Sequence, residues 1–224
     1  APEFSNCEDV AVDVFGDCEG LVEYTIEATD DCTPLEGINF SYQIDAFSEG
    51  IDGVDFNLNG NTATISRILP IGEHTVNWTA EDMCGNFSFC EMILTVRDGK
   101  KPSPYCLSSI TTVVMNNSGS IAIWANDFDY GSYDNCTPQE ELLFSFSPNV
   151  DNTSLTLTCN NMPNGEEETI QVEIWVTDAA GNQDFCSVDL ILQDSQDDVC
   201  SGSASGQYAQ VTGALRTDNF QNCQ

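Results

Sequence analysis

The residues best able to do chemistry in this chain are acidic or sulfur-bearing, and they are written twice. "ATDDCTP" occupies residues 28–34 and "YDNCTP" residues 133–138, each a cysteine behind aspartate and ahead of Thr-Pro. Carboxylates gathered from separate loops are hard oxygen ligands of the kind Ca²⁺ takes. Cysteines in such turns serve either as disulfide partners or as zinc ligands. The chain has eleven cysteines and one histidine, and its closest cysteine pair is Cys84 and Cys90. That spacing is wider than zinc motifs use, so the cysteines read as structural disulfides of an oxidising compartment.

Charge narrows the partners. The 224 residues carry 37 acidic side chains against 5 basic ones, a formal net charge of −32. Nucleic acid needs cationic contacts to phosphate, and an anionic membrane surface needs the same, so both are excluded. A chain so acidic repels itself unless cations neutralise it. No apolar run approaches the roughly 20 residues of a membrane span. No signal peptide is present, and the chain reads as a mature or excised segment of an exported protein.

Catalytic patterns are missing. His74 stands alone in "GEHTVNW" at a strand start and reads as a surface or turn residue. There is no G-x-S-x-G elbow, no H-E-x-x-H and no Gly-rich phosphate loop. Carboxylate pairs are too numerous for any one to mark a glycosidase. The chain reads as non-enzymatic. "DFNLNGN" (55–61) matches the front of an EF-hand loop through Asp55, Asn57, Asn59 and Gly60, but Ser66 stands where the closing Glu is needed. An Asn-Gly hairpin turn is the better account. Six N-x-S/T sequons, at Asn39, Asn77, Asn86, Asn116, Asn135 and Asn152, carry no glycosylation claim in a chain this rich in those residues.

The elements that must position these turns are strands. "LVEYTIEA" puts Val22, Tyr24, Ile26 and Ala28 on one face; "HTVNWTAE" does the same with Val76, Trp78 and Ala80, and "TIQVEIWV" with Ile170, Val172, Ile174 and Val176. Alternation of period two, broken by Gly, Pro, Asn and Asp clusters, means half-buried antiparallel strands. Cys7, Cys32 and Cys90 recur at Cys106, Cys136 and Cys186, and Gly85-Asn86 recurs at Gly181-Asn182. Self-similarity at about a hundred residues means tandem domains. The predicted fold is all-β: two Greek-key β-sandwiches in tandem. They span 5–98 and 106–198, with a Pro-containing linker over 99–105 and the start of a further β module over 199–224. Pro102 and Pro104 stiffen the linker. Beside them lie Arg97, Lys100 and Lys101, three of the five basic residues.

In a sandwich the turn around Cys32 and the turn around Cys84 fall at one end, which pairs Cys32 with Cys84. The first and last strands pair Cys7 with Cys90 and Cys106 with Cys186. Ala180 replaces the equivalent of Cys84 in unit two, and a hairpin about 148–152 returns Cys159 to Cys136. Cys18, Cys200 and Cys223 are left odd, free or paired to another chain. Connectivity is not fixed by sequence. Asp127, Asp129, Asp134 and Asp178 are expected to converge on the linker-facing end of unit two, with Asp98 beside them. Two readings stand there: a calcium site that rigidifies the joint, or direct neutralisation by Lys100 and Lys101 with the aspartates capping turns. Trp175 falls on the face opposite Val172 and Ile174, and Trp124 in "IAIWAN" is ambiguous. Both are contact-surface candidates, set against cover by a loop or neighbouring domain.

The pattern "C…DNC…C…VTDAAGN…C" closing on "ILQD" resembles HYR-type (hyalin-repeat, immunoglobulin-like) domains over about residues 5–198. "IGEHTVNWTAEDMCGN" and "KKPSPYC" look like the tandem versions in very large secreted proteins of Bacteroidota, the kind a type IX secretion system exports. "VTGALRTDNF" (211–220) resembles the start of a carboxypeptidase-regulatory β module. The resemblance implies a stalk, adhesin or surface appendage outside the cell. Three functions compete: a structural shaft whose copies associate as a homo-oligomer or filament, through Trp175 or a bridge from Cys18; a calcium-dependent adhesin for glycan or protein; and an accessory domain of a secreted hydrolase.

Overall fold

The computed structural model describes residues 1–34, 37–45, 56–107, 111–163, 167–194 and 199–200, with the side chains of 56–58 excepted. Asp55, Cys223 and the expected third module beyond Cys200 lie outside the described residues.

Unit one is a pair of four-stranded sheets. The first orders its strands β1 (Glu3–Phe4), β3 (Glu19–Thr29), β6 (Thr62–Pro70) and β5 (Phe56–Asn59). The second orders them β2 (Val10–Val14), β8 (Phe87–Asp98), β7 (Gly72–Glu81) and β4 (Asn39–Ile44). All neighbours run antiparallel except β2 on β8. The alternating faces meet between the sheets, where Ile26, Val76, Trp78, Met92, Leu94 and Val96 are buried. Gly60, at φ 63, turns β5 into β6 right after Asn59, the Asn-Gly hairpin read from "LNGN".

Unit two repeats the plan with fewer strands. One sheet runs β11 (Leu143–Ser145), β13 (Glu167–Thr177), β14 (Gln183–Asp194), β9 (Thr111–Met115), with β9 parallel on β14. The other pairs β10 (Ser120–Trp124) with β12 (Ser154–Thr158). Where β3 runs on for eleven residues, β10 stops at Trp124 and a 3-10 turn, Ala125–Phe128, drops Phe128 into the core. Met115, Leu157, Ile174, Leu190 and Leu192 complete that core. The architecture is thus all-β and immunoglobulin-like, stapled by disulfides.

Two of the expected pairings give way to others. The structure bonds Cys7 to Cys90 and Cys106 to Cys186, but it joins Cys18 to Cys136 and Cys159 to Cys200, and leaves Cys32 and Cys84 free. The hairpin that was to return Cys159 to Cys136 does not form, because β11 and β12 belong to different sheets. The chain crosses over at 146–153, and β12 then runs antiparallel to β10, bringing Cys159 to Gly119 at the far end of the unit. Cys18 and Cys200 are therefore not odd. His74 is also not a surface residue: it is 7% exposed, with Nδ1 2.8 Å from Asp45 Oδ2 and Nε2 2.8 Å from the Pro70 carbonyl oxygen.

Candidate functional site: the joint between the two units

The joint is built from turns that the strands bring to facing ends. From unit one come the β2–β3 turn, with Gly16 and Cys18, and the end of β8 at Asp98. From unit two come the 134–137 turn and the 178–182 turn between β13 and β14. Cys18–Cys136 crosses between them. Cys18 sits in the left-handed region at φ 58, a conformation costing an L-residue about 1–2 kcal/mol. A glycine would fit that turn at less cost, so the cysteine is there for its bond.

Polar contacts reinforce the crossing. The Asn135 side-chain amide donates to the Gly16 carbonyl at 2.7 Å. That of Asn182 donates to the Asp98 carbonyl at 2.9 Å and the Lys100 carbonyl at 3.2 Å. The linker is no free spacer. Ser103 bridges to Tyr133, Cys106 bridges to Asp129, and Pro102 is buried. Gly99 lies so close to Phe15 that an added Cβ would meet the ring at 2.7 Å.

The aspartates divide into two kinds. Asp134 accepts from the N–H groups of Cys136 and Thr137 through Oδ2, both at 2.8 Å, the usual way an aspartate closes its own turn. Asp178 spends both oxygens on Asn182, on its backbone N–H at 2.8 Å and its side chain at 2.9 Å. Asp98 accepts from the Lys100 N–H through Oδ1 at 2.9 Å. Asp98 Oδ2 and Asp134 Oδ1 remain, buried and without a hydrogen-bond partner, as does Asn135 Oδ1. Burial, then the charges of Asp134 and Asp178, push the Asp98 carboxyl above its ordinary value against the opposing pull of Lys100.

Of the five expected carboxylates, Asp98 and Asp134 come together, with oxygens inside a group 4.8 Å across that also holds the Cys136 sulfur. Asp178 faces Asp98 closely enough for its charge to be felt. Asp127 stands exposed in the 3-10 turn, and Asp129 is used on the Ser132 N–H at 2.8 Å. Neither belongs to the group. Among the described residues neither Lys100 nor Lys101 forms an ion pair. Asn135, Asn182 and Cys18 were not read as joint residues. A signal existed, since Asn182 repeats Asn86, and Cys18 was left without a partner inside its own unit.

The aromatic candidates both face outward. Trp124 is 51% exposed on β10. Trp175 stacks on its cross-strand neighbour Phe185 at 4.9 Å and donates from Nε1 to Glu173. Among the described residues no helix is long and apolar enough to cross a membrane.

No protein-family model matches the chain, and no curated protein matches it. Solved structures do. Drosophila N-cadherin EC1-4 aligns over 87% of this chain and 50% of its own length, at 10% identity and a TM-score of 0.39. The tandem Ig repeats of Dlar align over 86% of this chain and 98% of their own, at 13% identity and 0.32. The Bacteroides ovatus SGBP-B, solved with a mixed-linkage heptasaccharide, aligns over 84% and 47%, at 15% identity and 0.33. The chain spans half of the N-cadherin segment and 32% of the protocadherin GammaB4 extracellular domain. At identities and TM-scores this low the alignments carry no argument about function, which rests on the chain's own residues.

Proposed function

We propose that this chain is a non-catalytic structural segment of a large extracellular protein, a stretch of the stalk or shaft of a surface appendage or adhesin. One observation carries the reading: two sandwiches are tied end to end by a disulfide between turns 118 residues apart in sequence. A cross-link closing so long a loop removes about 4–5 kcal/mol of unfolded-state entropy and resists pulling apart at the joint. Disulfides of this number belong outside a reducing cytosol. HYR-type kinship and type IX export belong to this proposal as well. So does self-association: Cys32, the counterpart of Cys136, is an exposed thiol on the outer pole of unit one. A second copy or another module could engage it as Cys18 engages Cys136.

Small-angle X-ray scattering before and after reduction tests the reading, since it reports mass and shape together. The native segment is expected to scatter as one elongated, rigid particle, and the reduced one as a broadened ensemble. Native scattering as broad as the reduced would defeat the shaft reading. A mass of one chain would limit self-association to longer stretches of the parent. The second reading, a calcium-dependent adhesin module, is favoured by the outward pair Trp175 and Phe185, which offers a flat aromatic face to a sugar ring. Glycan binding abolished by a Trp175→Ala change would support it.

A further inference from the structure

The joint holds more negative charge than its own groups satisfy, and the excess has a definite geometry. Asp98 arrives at the end of β8 in unit one, and Asp134 in the first turn of unit two's pole. Each has one oxygen fixed by backbone N–H groups, so neither side chain can swing away without uncapping its turn. The other two oxygens, Asp98 Oδ2 and Asp134 Oδ1, are buried and have no hydrogen-bond partner, and the two carboxylates come within 4.8 Å of each other. Asp98 is 6% exposed. Burying a carboxylate oxygen unpartnered is costly, and placing a second beside it adds like-charge repulsion.

The donor set decides what could relieve this. The third atom of the close group, the Cys136 sulfur, is committed to Cys18, so the set is all oxygen. Hard oxygens exclude soft metals and suit Ca²⁺ or Mg²⁺. Magnesium demands near-ideal octahedral geometry and gives up its water reluctantly, whereas calcium accepts irregular oxygen shells. The group's atoms all lie within 4.8 Å of one another. We infer that the joint binds a divalent cation, calcium by its tolerance of an irregular oxygen shell, between the carboxylates of Asp98 of unit one and Asp134 of unit two. Asn135 Oδ1, also buried and unpartnered, is placed next in sequence as a further oxygen, and water completes the shell. Asp178 is not a ligand, because Asn182 holds both its oxygens; it adds field and keeps Asn182 on the Asp98 and Lys100 carbonyls. With so few protein ligands the affinity belongs to the weak class of extracellular modules, on the order of 10⁻⁴–10⁻³ M. The inference rests on the joint and not on what the parent protein adheres to.

The competing occupant is a proton shared between Asp98 and Asp134, with Asp178 and Lys100 as the other charges in reach. Calorimetric titration of the chelator-stripped chain with calcium chloride, paired with thermal melting at matched ionic strength, separates the two. The expected result is saturable uptake of one joint ion with a rise in Tm. Asp98→Asn should weaken that uptake at least tenfold and, with repulsion relieved, melt no lower than wild type in chelator. Asp127→Asn should leave both readings unchanged. Should Asp98→Asn not fold, Asp134→Asn keeps the turn's acceptor and serves the same test. Calcium no more effective than sodium chloride, or uptake unchanged in Asp98→Asn, would overturn the inference in favour of the shared proton.

Discussion

The outer pole of unit one and the joint-facing pole of unit two carry the same turns in two situations. In unit one, Asp30 closes its turn on the N–H groups of Cys32 and Thr33, and Asp82 closes the other on Cys84 and Asn86. In unit two, Asp134 and Asp178 do the same work. The turn chemistry is thus independent of the neighbour. What differs is the second oxygen and the cysteine. Among the described residues an oxygen of Asp134 lies within 4.8 Å of one of Asp98, whereas Asp30 belongs to no such close group. Cys32 is exposed and unbonded, whereas Cys136 is bonded into the preceding unit. A capped aspartate leaves one oxygen and one neighbouring sulfur over, and in unit two both lie against unit one.

The comparison can be broken most forcefully at its covalent element. Changing Cys18 and Cys136 together to serine should lower resistance to denaturant by about 4–5 kcal/mol on the chain-entropy account. It should also separate one unfolding transition into two, read by fluorescence and far-ultraviolet dichroism. A single unchanged transition would mean that the hydrogen bonds of Asn135 and Asn182 hold the joint unaided. Somewhat smaller is the cost of opening one core. Trp78, 0% exposed and packed on Tyr42 at 5.3 Å, should cost about 3–5 kcal/mol on change to alanine. In the chain lacking the Cys18–Cys136 bond, hydrogen exchange in β13 and β14 should stay as it was, since those strands belong to the other core. Loss of protection there would show that the units fold as one.

The smallest effect carries the clearest sign, because the outer pole of unit one and Asp98 at the joint respond oppositely to pH. Asp30, chiefly through the Cys32 N–H, and Asp82, chiefly through the Asn86 side chain, are held below the ordinary carboxylate value. Their contribution is complete above the unfolded value and lost as pH falls through the folded one. Asp98 is raised, chiefly by burial, so the folded state keeps its proton longer. Stability from that group falls as pH rises from the ordinary value through the folded one. In chelator, Asp82→Asn should flatten the acid side of the Tm profile and Asp98→Asn the side above the ordinary carboxylate range. Identical profiles would remove the electrostatic half of the comparison.

Much of the fold was legible because burial imposes a period of two, and Val22, Ile26, Ala28, Val76, Trp78 and Ala80 all face inward. The repeat was legible too, since turns need particular residues. The pairing of Cys18, Cys136, Cys159 and Cys200 was not. It hinged on β12 leaving β11's sheet, and β11 is three residues long, too short to announce its partner. Asp127 and Asp129 were misplaced for a related reason: a 3-10 turn stands where unit one continues its strand, and "WANDFDY" alternates well enough to hide it. His74 read as exposed because its partner, Asp45, follows the neighbouring strand β4, 29 residues earlier, which no local pattern shows.

Disulfide mapping of the unreduced chain, by alkylation, proteolysis and mass spectrometry, tests the central claim most directly. A peptide joining Cys18 to Cys136 is expected, with Cys32 and Cys84 recovered as alkylated thiols. A peptide joining Cys32 to Cys84 alongside one joining Cys136 to Cys159 would contradict it, for each unit would then be closed on itself and nothing covalent but the linker would hold the two in line.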